Sequence, residues 1–185
     1  MVFYFFSPPK GGLEMKQQNL HFVVLVILMG LLIGCKPSQM SQTETNKNVV
    51  NRFNEALNNG NFDLFDELLT SDFVRHCQAT SDVQVRSPED YKRFNQQFVT
   101  TFPDARTTIH FLVAEGDMVA AYATLTGTQK GSFGSLPASG KKIKSDFISI
   151  FRMENGKIAE LWVEWDNLAI LTQLGHFPPP AKGEE

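Results

Sequence analysis

The sequence predicts an α+β domain, and three observations carry that expectation. Apolar residues recur at helical spacing across 48–102, and the period switches to alternation from Ala105 onward. Short Gly-containing turns, EGD at 115–117 and ENG at 154–156, separate the alternating runs. Helices first and hairpins after them imply helices packed on one face of an antiparallel sheet.

The elements follow in order. Val49, Val50, Phe53, Ala56 and Leu57 share one helical face, and Gly60 is placed to end that helix. Asn61 is positioned to cap a short second helix whose apolar set is Phe62, Phe65, Leu68 and Leu69. SDFVRHC, residues 71–77, reads as a short extended segment. A third helix opens with Ser87 as cap, Pro88 at the first helical position and Glu89 and Asp90 in the first turn. It should bury Tyr91, Phe94 and Phe98 and stop before Pro103. Thr107, Ile109, Phe111 and Val113 are expected on one face of a strand, and EGD leads into a long strand from Met118 to about Lys130. The loop GSFGSLPASG precedes a strand from Lys141 to Met153. ENG closes a hairpin with a last strand from Lys157 to about Trp165. Leu168, Leu171 and Leu174, closed by Gly175, make a short terminal helix.

The N-terminus reads as an address. From Met15 the chain runs MKQQNLHFVVLVILMGLLIGC, with Lys16, an apolar run from Phe22 to Ile33, and then Gly34 and Cys35. That run is shorter than the roughly 20 residues that cross a hydrocarbon core as a helix. Its ending, LIGC, resembles the bacterial lipobox, in which the thiol is lipidated and the chain is cut just before it. Residues 1–34 are therefore expected to be the signal peptide of a lipoprotein, with Met15 able to start a complete signal by itself. Residues 35–47 read as a polar tether, 48–175 as the folded domain, and 176–185, with FPPP at 177–180, as a tail. The expected location is the bacterial cell envelope, with the protein held to a membrane through lipid on Cys35.

Composition sets the remaining bounds. A chain of 185 residues that is 42% hydrophobic, with 16 Phe, can bury one Phe-rich core. From Cys35 onward it carries 15 basic against 19 acidic residues, so no basic field is available for nucleic acid. Cys77 is the one other cysteine; no base adjoins it in sequence, and an inert thiol is expected. His21, His76, His110 and His176 make no metal pair with a second ligand, so no metal site is expected.

The segments VVNRFNEALNNGNFDLFDELLTSDFVRH, FVTTFPDARTTIHFLVAEGDMVAAYATLTGT, ISIFRMENGKIAELWVEWD and ILTQLG together resemble the SnoaL-like polyketide cyclase family, also called ester cyclases. The most specific parts are FPD after the third helix, the AEGD turn, and the ending in which GKIAELWVEWD is followed by QLG. The resemblance implies an NTF2-like (cystatin-like) cone, with helices packed on a strongly curved antiparallel sheet and a pocket between them. It also implies a homodimer formed through the sheet and no cofactor. In the family's cyclases an Asp of the last strand acts as acid/base in an aldol ring closure, assisted by a His of the preceding strand. Matched without gaps, those positions fall on Val163 and Ser149, neither of which transfers a proton.

Alternation puts Leu161, Val163 and Trp165 on one face of the last strand and Glu160, Trp162 and Glu164 on the other. The expected pocket lining is His76, Tyr122, Phe147, Ser149, Leu161, Val163 and Trp165, with Asp146 turned away from Phe147 and Ser149. Glu164, Asp166 and His76 remain as weak catalytic candidates, with a helix cap as the competing role of Asp166. Three functions stay open: a pocket for a small apolar molecule, a cofactor-independent cyclase-like enzyme, and an interaction module with a vestigial pocket.

Overall fold

The computed structural model describes residues 41–177. The signal segment, residues 35–40 of the tether including Cys35, and the tail from residue 178 lie outside the described residues. Helix α1 spans Gln42–Asn59, a 3-10 turn follows at Phe62–Leu64, and α2 spans Phe65–Leu68. Strand β1 is Leu69–His76, α3 is Pro88–Thr101, β2 is Arg106–Glu115 and β3 is Met118–Thr128. Lys142–Glu154 forms β4, Lys157–Trp165 forms β5 and Asn167–Leu174 forms α4. Among the described residues no helix is long and apolar enough to cross a membrane.

The helix ends follow local chemistry. The Ser87 hydroxyl accepts from the Asp90 amide at 3.1 Å, and Asp166 accepts from the Ala169 amide at 2.9 Å. Gly60 and Gly175 adopt left-handed φ of 66° and 78° to close α1 and α4. One boundary differs from expectation, because α1 starts at Gln42 rather than near Asn48. Its first turns lack apolar periodicity, yet Asn46 is 1% exposed and donates to the Gly116 carbonyl, while Gln42 donates to Asn46. A satisfied polar anchor does there what an apolar residue does further along.

The sheet order is β1-β5-β4-β3-β2. β2 through β5 pair antiparallel, as expected, but β1 runs parallel to β5, so the sheet is mixed. No hairpin joins β1 to β5, and nothing local fixes their relative direction. The Asn155-Gly156 turn has φ of 51° and 77°, the left-handed pair that a tight hairpin needs.

A bulge corrects the reading of β2. Ile109 pairs with Ala123 and Phe111 with Tyr122, so His110 is an extra residue and the alternation flips beyond it. Leu112 and Ala114 pack toward the core, whereas Phe111 and Val113 are 57% and 60% exposed on the outer face. On the edge of β2, Asn58 of α1 donates to the Thr107 carbonyl and accepts from the Thr107 amide, each at 2.8 Å.

The main core joins α1, α2 and α3 to the inner face of the sheet through Phe53, Phe65, Phe73, Tyr91 and Phe151. Phe65 is fully buried, with ring centroids 5.2 Å from Tyr91 and 5.6 Å from Phe53. Phe94 and Phe98, expected in the interior, are only half-buried. A second cluster, Phe102, Ile143, Ile170 and Leu174, seats α4, and Trp165 packs against both.

The FPD motif also has a role in the fold. The Asp104 carboxylate accepts from the Thr128 hydroxyl at 2.7 Å and the Thr128 amide at 2.6 Å, tying the turn after α3 to the end of β3. Thr128 holds the Asp104 pKa below the usual carboxylate value, first through its hydroxyl and then through its amide. A lowered folded pKa gives stability that is present above the unfolded value and lost as pH falls through the folded one. Asp104→Asn should therefore melt below the native chain near neutral pH, with the gap shrinking below about pH 4. Melting temperatures measured from pH 7 to pH 2 check this, and a constant gap would refute it.

Candidate functional site

Three rows of side chains cross the inner face of the sheet. Ala123, Phe147 and Trp165 form one, Ala121, Ser149 and Val163 the next, and Val119, Phe151, Leu161 and Arg75 the third. The middle row is small, neutral and buried, with Ala121 at 3%, Ser149 at 4% and Val163 at 8% exposure. Ala123, Ser145 and Ser149 are buried yet belong to neither apolar cluster. This band of small residues adjoins the main core, to which Ala121 and Val163 belong. The half-buried large rings of the two clusters are Phe62, Phe94, Phe98, Phe133, Phe147 and Trp165.

Phe147, Ser149, Leu161, Val163 and Trp165 thus share the inner face, where alternation put them. His76 and Tyr122 do not: both project from the outer face, although Tyr122 still borders an open groove together with Phe147 and Trp165. β1 turns Phe73 and Arg75 inward, so His76 points to the outer face, where it stacks on Trp162 at 4.8 Å and meets the Glu160 carboxylate at 2.8 Å. Arg152 bonds the same carboxylate at 2.7 Å; Arg152 first and His76 second hold the Glu160 pKa low. Tyr122 is also on the outer face, because its inward neighbours in β3 are Ala121 and Ala123. Its hydroxyl donates to Asp146 at 2.7 Å, beside the Thr124 hydroxyl, which donates to the same carboxylate at 2.5 Å. The Thr124 and Tyr122 hydroxyls keep the Asp146 pKa low.

The carboxylate candidates have structural roles. Glu164 is exposed and accepts from the amides of Gln78 at 2.6 Å and Ala79 at 3.3 Å, anchoring the loop after β1. Asp166 caps α4. Both line an open groove of about 470 Å³ with Tyr122, Asp146, Phe147, Ile148 and Trp165. Cys77 is half-buried against the main core. Among the described residues no cluster of His, Cys, Asp and Glu could hold a metal ion.

One inward polar residue went unmarked in the sequence reading. Arg75 is 6% exposed, and its guanidinium lies 4.7 Å from the Phe94 ring centroid and 5.7 Å from that of Trp165. Its side chain donates to the Thr80 hydroxyl at 3.2 Å, and its backbone amide bonds the Val85 carbonyl. The signal was available, since alternation from Phe73 selects Arg75 rather than His76. Tyr91 also faces the interior, with burial first among the causes that push its phenol pKa up. An arginine that stays charged and a phenol that holds its proton supply no general base.

A mixed five-stranded sheet with helices on one face and a band of small residues across its middle defines an α+β domain. The model of the SnoaL-like polyketide cyclase family matches residues 47–174, and the chain belongs to that family. Solved structures agree. TsrD from Streptomyces laurentii is 29% identical with a TM-score of 0.66, the match covering 75% of this chain and 100% of that one. IdmH from Streptomyces antibioticus is 28% identical with a TM-score of 0.63, covering 70% and 98% of the two chains. A SnoaL-like protein from Jannaschia sp. CCS1 is 26% identical with a TM-score of 0.67, covering 76% and 99%. No match is found among curated proteins.

Proposed function

We propose that this protein is an envelope lipoprotein whose SnoaL-like domain binds a small, mainly apolar molecule between the sheet and the helices, without the family's aldol chemistry. One observation carries the reading: the row in which the family's cyclases would place acid and base is Ala121, Ser149 and Val163, buried and free of titratable groups. Loss of a positioned general base costs roughly 10²- to 10⁴-fold in rate, enough to make inherited cyclisation negligible. An apolar recess instead favours apolar ligands through the area they remove from water.

The purified protein should bind a hydrophobic fluorescent probe, displace it with apolar ring compounds, and give no cyclised product from family-type substrates. Cyclisation by the unmodified chain that Glu164→Gln or Asp166→Asn abolishes would overturn this reading and return the enzyme alternative.

The lipoprotein part rests on LIGC at the end of an apolar run. A single acyl chain binds membranes only marginally, so stable anchoring needs the several chains that such processing adds. Cys35→Ser should abolish labelling by a fatty-acid analogue and release the protein from the membrane fraction. Labelling that survives would sink the assignment.

We also propose a homodimer formed through the outer face of the sheet. Phe111, Val113, Ile148 and Ile150 are exposed there, at 57%, 60%, 57% and 39%, with Tyr122 stacked on Phe111. Apolar side chains grouped on one sheet face, with Asp146, His76, Glu160 and Arg152 also on that face, match the composition of a subunit contact.

A further inference from the structure

Arg75 places a permanent cation inside the domain. It is 94% buried by its 6% exposure, and no carboxylate of the described residues lies within ion-pair distance of it. Other acids are committed elsewhere: Glu160 to Arg152 and His76, Glu164 to the amides of the loop after β1, and Asp90 to the Arg86 amide and Arg93. Thr80 takes one guanidinium N–H, and the Phe94 and Trp165 rings cover the guanidinium through cation–π contact. Removing an ion from water without a counter-ion is costly, and a hydroxyl with two ring faces offsets only part of that cost. A guanidinium presents a planar fork of donors that matches the two oxygens of a carboxylate.

Arg75 stands in the row next to Ser149 and Val163, and its ring partners Phe94 and Trp165 are both half-buried. Phe94 also lines an open groove of about 180 Å³ with Val83, Val85, Asp90, Arg93 and Gln97. Phe94 is therefore shared between the buried guanidinium and the surface.

We infer that Arg75 is the anchor for the carboxylate of the bound molecule, so that the ligand class is an aromatic or polycyclic acid whose rings lie along the small-residue band. This rests on the proposed pocket and adds its polar end. The family positions on Val163 and Ser149 lend it no acid or base.

Titration of the full chain with 2-naphthoate and with its methyl ester separates the two claims. The acid should bind the unmodified protein roughly 10- to 100-fold tighter than the ester, the span of one charge-assisted pair. Arg75→Met, which keeps the apolar stem, should erase that preference and leave ester affinity unchanged; Arg75→Lys should retain part of it. The melting temperature of Arg75→Met should equal or exceed that of the native chain, because an unpaired buried charge is removed. Equal binding of acid and ester to the unmodified protein overturns the anchor and spares the pocket. Binding of neither compound overturns the pocket reading and the anchor with it. A lower melting temperature with loss of ester binding in Arg75→Met would assign the residue to the fold instead.

Discussion

Val163→Asp should destabilise the domain by about 1–3 kcal/mol and weaken binding of apolar ring compounds, although it restores the residue type that the family's cyclases carry there. Val163 is 8% exposed, between Ser149 on β4 and the core residues Leu161 and Phe151. A carboxylate in that row meets one hydroxyl donor, Ser149 directly across on β4, and gains no second from Ala121. It must be buried half-satisfied or protonated, and either course lowers stability. Urea unfolding reads the change as a lower midpoint at constant slope. An unchanged midpoint would mean that the row is hydrated and that the dry-pocket reading is wrong.

Ile148→Asp should convert the proposed dimer to monomer. Ile148 is 57% exposed, pairs with Tyr122 on β3 and Glu164 on β5, and sits beside Asp146 on the same face. In a two-fold contact each substitution enters twice. Two sites at about 2 kcal/mol each weaken association roughly 10³-fold, the scale of a central interface residue. Sedimentation of the native chain and the variant at equal concentration checks this. A native chain that sediments as a monomer, or a variant that remains a dimer, would refute assembly through this face.

How much of this was legible depends on whether the deciding contact is local. The bounds of β5 and α4 were legible because Asn155-Gly156, Asp166 and Gly175 set their ends within a few positions. The start of α1 was not, since its early anchor is Asn46 reaching the Gly116 carbonyl, a partner far away in sequence. The parallel pairing of β1 with β5 is equally non-local, and no pattern inside either strand encodes direction. Period-two reasoning succeeded along β5 from Leu161 to Trp165 and failed in β2, where the extra His110 reverses it. In the site, Phe147, Ser149, Leu161, Val163 and Trp165 were legible from alternation. His76 drew notice as a chemically versatile residue, while the same alternation pointed to its neighbour Arg75.

The contact between Asn58 and Thr107 bears on how the protein keeps its sheet from growing. β2 is an outermost strand, and its free backbone groups are a template on which another chain could add a strand. The Asn58 amide offers the donor and acceptor that an incoming peptide would offer, and it occupies both groups of Thr107. Asn54 adds a further donor to the same carbonyl at 3.4 Å. A helix thereby supplies one rung of a sixth strand without being one. The occupied rung lies near the start of β2, so any intruding chain must begin pairing beyond it, next to the register break at His110. Two adjacent interruptions leave this edge with no long uninterrupted ladder for self-association into fibres.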